Sequence, residues 1–203
     1  MTLRERLRAI NRVPELSTIA HEVGHTVIAF LQTGRNCQIW FTPPGNVFGA
    51  ISNNDVVGFH GRPLIIRHLA GITFQALICP GSVSEVLRGK ILDGRLFDRR
   101  SCFWRNSVET NEMLANQSIA DWRGVADEAK HLPKDRALRF AELKAAQAEL
   151  IALSRSDRIT RIASSMIEDI AFWLDTEELP PNPMARYAPE RIAGIFGRFP
   201  VVA

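Results

Sequence analysis

The sequence has no uninterrupted apolar run of about 18 residues, the length a membrane-spanning helix needs. Its first stretch, MTLRERLRAINR, is charged throughout and has no hydrophobic h-region, so no secretory signal is read there. Cysteine is scarce. Cys37, Cys79 and Cys102 are an odd number without CxxC spacing, which excludes a disulfide framework and a cysteine-based metal site. No GxxxxGK[ST] phosphate loop is present, because the Gly89-Lys90 pair is followed by Ile91 where Ser or Thr is needed. The formal net charge is only +3, and no dense Lys/Arg block with interleaved aromatics appears, so nucleic acid is not an expected partner. These absences describe a chain expected in the cytoplasm, without an integral membrane segment and unable to use ATP by itself.

The 203 residues are 46% hydrophobic and 23% charged, which suits a domain with a sizeable buried core. Pro14 to Thr33 reads as a helix, with Pro14 in its first turn, Gly34 as its stop and a broad apolar surface from Leu16, Ile19, Ala20, Val23, Val27, Ile28 and Leu31. Strands are expected over Gln38 to Phe41 and Val47 to Ile51, joined by a Thr-Pro-Pro-Gly-Asn turn at 42–46. Helical spacing returns from Pro63 to Ile78 and stops at Cys79-Pro80-Gly81. Residues 82–108 are mixed in pattern. Further helices are expected over Asn111 to His131, Lys134 to Ser154 and Asp157 to Leu174, followed by a breaker at Pro180 to Pro183 and a short terminal segment.

The chemistry-bearing pattern is His21-Glu22-Val23-Gly24-His25. Residues four apart on a helix lie one above the other, so two imidazoles at this spacing can converge on one tetrahedral zinc. Glu22, turned about 100° around the helix, stands beside the ion rather than on it, where a carboxylate can take a proton from the attacking water. With five histidines in the chain, a chance HExxH arises with a probability on the order of one percent, and two His and a Glu inside a buried helix are costly without a purpose. A catalytic zinc normally takes three protein ligands. Position 31 is Leu, so no third His follows nearby, and His60, His68, His131 and many downstream acids stay open on spacing alone. Ser164, Ser165 and Cys79 lack the context of a nucleophile. Trp40, Trp104, Trp122 and Trp173 read as packing residues.

Four segments in the same order resemble the FtsH-type zinc metallopeptidase family. AHEVGHTVIA at 20–29 resembles that family's HEAGHAV helix. IWFTPPGNVFGAIS at 39–52 is similar to its strand, Pro-x-Gly turn and Gly-containing strand. LAGITFQAL at 69–77 resembles its LAGRAAEEL helix, and ADWRGVADEA at 120–129 resembles the SDLxxAT segment whose Asp is the third zinc ligand. The resemblance covers about residues 15–175 and implies zinc ligands His21, His25 and Asp121, with Glu22 as general base. Asp127 and Glu128 are the next choices, and Asp93, Asp98, Glu109 and Glu112 also remain. Gln75 replaces the family's usual Glu, Ile72 stands where it has Arg, and the stretch 82–115 is longer.

The implied fold is mainly α (α+β): a zincin-like helical peptidase domain with a small β-hairpin next to the HExxH helix and a C-terminal helical pair. Its expected layout is an N-terminal segment at 1–13, a peptidase domain at 14–178 and a tail at 179–203. The implied activity is hydrolysis of peptide bonds in flexible or unfolded polypeptides, independent of ATP in itself, with a separate ATPase or adaptor as a supplier of substrate and a homo-oligomer as an option. Val47, Phe48 and Gly49 are the expected substrate contacts, through an exposed strand edge. The alternative is a catalytically inactive or regulatory binding protein that retains the zinc site.

Overall fold

The computed structural model describes residues 16–34, 37–41, 50–54, 58–97, 119–176 and 185–200. The expected N-terminal segment at 1–13, the 42–46 turn, the strand start at Val47–Gly49 and the residues Asp98, Cys102, Trp104, Glu109 and Glu112 lie outside them. The described residues are mainly helical, with one small antiparallel sheet among them. It divides into two compact units: one takes residues 1–56 and 156–203, the other residues 57–155.

The first unit is built around α1 (Leu16–Thr33). Ile19, Ala20 and the run from Val23 to Ala29 are buried, so the helix is apolar over most of its girth. That is the pattern of an element packed on more than one side. It touches β1 (Cys37–Phe41), β2 (Ala50–Asn54) and α6 (Asp157–Thr176). The helix stops at Gly34, whose φ of 69° is a conformation that a side chain disfavours, and the Gly34 N–H donates to the Phe30 carbonyl at 2.7 Å. β1 and β2 form an antiparallel hairpin, as expected, with Cys37 opposite Asn54 and Phe41 opposite Ala50, and β2 continues to Asn54, three residues past its expected end at Ile51. Along β1, Cys37, Ile39 and Phe41 are buried while Gln38 and Trp40 are half-buried, the two-residue period of a strand with one core face.

The terminal segment supplies a third strand. β3 (Ala185–Tyr187) pairs antiparallel with β1, giving the order β2-β1-β3. α7 (Pro189–Gly197) follows, opened by Pro189 in its first turn, and packs on α6 and β1. Phe196 of α7 stacks on Phe30 of α1 at 4.1 Å between ring centroids. Tyr187 is fully buried and donates its hydroxyl hydrogen bond to Asp169 on α6, which also accepts from Arg191 Nη1 at 2.9 Å. The edge of Trp173 meets the Tyr187 ring at 5.6 Å.

The second unit is organised by α2 (Arg62–Ile78), which packs on α3 (Glu85–Leu92), α4 (Ile119–Glu128) and α5 (Arg136–Ser154). Caps set the ends of these helices. Ser84 accepts from the Leu87 N–H at 3.2 Å and Asp135 from the Leu138 N–H at 2.9 Å. Gln147 of α5, almost fully buried, donates to the Lys90 and Ile91 carbonyls at the end of α3 and accepts from the Leu96 N–H. These bonds satisfy backbone groups that the helix end leaves open. The two members of the expected C-terminal helical pair both form, and each packs on a different helix: α5 on α2, α6 on α1. No described helix is long and apolar enough to cross a membrane.

Candidate metal centre

The residues of the His-Glu-Val-Gly-His pattern lie in the first half of α1. Ile19, Ala20, Val23 and Val27 anchor the buried sides of the helix. His21 and Glu22 are half-buried, whereas His25 is 5% exposed. The i, i+4 spacing brings the two rings together edge to face, 4.8 Å between centroids and 74° between planes. Their Nε2 atoms are 3.1 Å apart.

That distance is the test of whether the pair fits zinc. On a tetrahedral ion with Zn–N bonds of about 2.0–2.1 Å, two ligand nitrogens lie about 3.3 Å apart. The two Nε2 atoms already stand at that separation, on rings oriented by a packed helix. The same distance suits an N–H···N hydrogen bond when one ring carries its proton at Nε2. The two states differ in whether that proton or an ion lies between the nitrogens.

Asp121 sits in the first turn of α4 and is mostly buried, its side chain 19% exposed. His68 of α2 approaches it, Nδ1 to Oδ1 at 3.8 Å. Gly124, one turn further along α4, makes this approach feasible. A Cβ there would lie 2.3–2.5 Å from three atoms of the His68 ring, closer than atoms pack. In the sequence His68 was only one of several histidines and acids left open as the third ligand. Its position beside Asp121 depends on a helix crossing that spacing along one chain segment does not reveal.

The other acids within the described residues have different engagements. Asp127 is exposed and pairs with Lys130, and the hydrogen bond from that ammonium holds its carboxyl below the usual range. Glu128 accepts from the Gly61 N–H at 2.7 Å and faces His60. Asp93 caps α3 beside Arg95. Gln75, where the resembling family usually has Glu, is buried and donates from Nε2 to Ser82 Oγ at 3.2 Å, helping to close the turn at Pro80–Ser82. Trp122 stacks in parallel with Phe97 at 6.3 Å, a packing contact. Val47, Phe48 and Gly49 lie outside the described residues, but the strand that follows them, β2, is an outer strand of the sheet and packs against α1.

Comparison with protein-family models, with curated proteins and with solved structures finds no match.

Proposed function

We propose that this chain is a zinc-dependent endopeptidase of the FtsH-type kind, acting on flexible or unfolded polypeptides. The observation that carries the reading is the 3.1 Å approach of the His21 and His25 Nε2 atoms on a buried helix, with Glu22 next to the first of them. His21 and His25 would hold the ion, and Asp121, carried over from the family resemblance, would supply the third ligand. Zinc, when bound, supplies Lewis-acid chemistry that makes water a nucleophile near neutral pH and polarises a carbonyl.

The chain's own residues have separate tasks. Glu22, half-buried and one position from a ligand, accepts the proton of the attacking water and returns it to the leaving amine. His68 is a positioning residue that orients the Asp121 carboxylate, in the way that partners of metal ligands fix their geometry. The outer strand β2 beside α1 offers main-chain groups to an extended peptide, the recognition mode that suits an unfolded substrate. Without a phosphate loop the chain has no ATP-driven unfolding of its own, so stably folded proteins are not expected substrates.

Glu22→Gln separates chemistry from metal binding. Turnover of an unfolded protein substrate is expected to fall by about 10²–10⁴-fold while zinc content stays unchanged. Full turnover in this variant would remove Glu22 from the mechanism.

A further inference from the structure

The second unit contains a cluster of metal-ligating side chains that the peptidase reading does not use. His60 lies in the approach to α2, Glu128 closes α4, and His131 ends the short 3-10 turn at Ala129–His131 that follows it. One ligand atom from each can be chosen so that all lie within 4.8 Å of one another. The His60 and His131 rings are stacked, 4.8 Å between centroids and 29° between planes. His60 Nδ1 is 3.9 Å from Glu128 Oε2.

We propose that His60, Glu128 and His131 form a second divalent-metal site, independent of the first. Two imidazoles and a carboxylate are the donor set of zinc and of neighbouring ions such as nickel and copper. The anchor is already fixed. Glu128 is only 15% exposed, and its Oε2 is held by the Gly61 N–H at 2.7 Å, which aims the carboxylate toward the segment that carries His60. Gly61 has a φ of 67°, and a Cβ built on it would meet Leu132 at 3.5 Å and His131 at 3.8 Å, so the two segments are in close contact. His60, at 65% exposure, has room to rotate its ring out of the stack, and the ligand atoms need to close by up to about 1.5 Å to reach the separations of ligands around an ion.

The ion would act as a staple. Residues 61 and 128 are 67 apart in sequence, and a bond between their neighbourhoods fixes the end of α4 to the start of α2. Glu128 is seven positions after Asp121, two turns along the same face of α4, so the staple would steady the helix that carries Asp121. The exposed setting leaves coordination positions to water, which makes this site weaker and more exchangeable than a closed structural one.

The test is zinc bound per chain at equilibrium, by dialysis against buffered free zinc, on the wild type, His60→Ala, His131→Ala and His21→Ala. Circular dichroism checks that each variant folds, and His60→Ala, at an exposed position, guards against misfolding at His131. Two zinc ions in the wild type, one in His60→Ala and His131→Ala, and a zinc-dependent rise in Tm that is smaller in these two variants than in the wild type, are the expected results. One ion that His21→Ala removes and the His60 and His131 variants keep overturns the second site and leaves the peptidase reading standing. One ion that only the His60 and His131 variants remove supports the second site and counts against the peptidase reading.

Discussion

At the scale of single residues, the distance between two ring nitrogens and the absence of one side chain carry the account. His21 and His25 meet because four positions on a helix make little more than one turn, and the packed helix limits how far their rings can swing. Gly124 works by what it lacks. The His68 ring occupies the space that any Cβ at 124 would need, and this ring is what faces Asp121. Gly124→Ala is therefore expected to push His68 aside without unfolding the unit, since the obstacle is a movable side chain rather than backbone. Loss of such a partner lowers metal affinity by about 10–100-fold. Zinc affinity of Gly124→Ala, measured by competition with a chromogenic chelator, reads this directly, and an affinity equal to the wild type would show that His68 does not position Asp121. The HExxH pattern was legible in the sequence because its geometry is local. His68 was not, because its contact with Asp121 joins helices 53 positions apart, counting from 68 to 121.

Among the elements, legibility followed length and periodicity. α1, α2, α5 and α6 each extend for four turns or more, enough for an apolar stripe to declare itself, and their observed bounds lie close to the expected ones. The hairpin announced itself through the Pro-Pro-Gly-Asn turn. α3 is eight residues long, too short for its buried Leu87 and Ile91 to form a pattern, and it sits in the stretch that read as mixed. β3 is three residues, and only its pairing with β1, far back in the chain, makes it a strand. Its anchor is chemical as well as geometric. Burial first, then the hydrogen bond to Asp169, hold the Tyr187 phenol above its ordinary range. A raised folded pKa means that the stabilisation is fully present below the unfolded value of about 10 and is lost as pH rises beyond it. Tyr187 is the single tyrosine of the chain, so the alkaline rise in tyrosinate absorbance, taken as a difference from neutral pH, reports on it. The native protein is expected to show no tyrosinate step near pH 10, and the signal should appear only as the fold is lost. A normal step at pH 10 with the fold intact would mean that Tyr187 is not held as described. Tyr187→Phe should flatten the alkaline loss of stability, measured by urea unfolding at pH 8 and pH 11.

For the molecule as a whole, the division into units was the least legible feature. The first unit draws on both ends of the sequence, because β3 and α6 return to β1 and α1, and no composition shift or linker marks the change at residue 155. The His60–Glu128–His131 cluster was hidden for the same reason, since His60 stands 68 positions before Glu128, counting from 60 to 128, and joins it only through the path of the backbone. The zinc reading depends in turn on a ligand 100 positions beyond His21, in sequence numbers 121 minus 21, which local spacing cannot select. The most direct test of that reading is zinc content together with turnover of an unfolded protein, for Asp121→Ala against its parent, both carrying His131→Ala so that a single ion is counted. The account predicts one zinc per parent chain with chelator-sensitive cleavage, and loss of both in Asp121→Ala. No zinc in metal-replete parent protein, or cleavage that persists without it, would contradict the account.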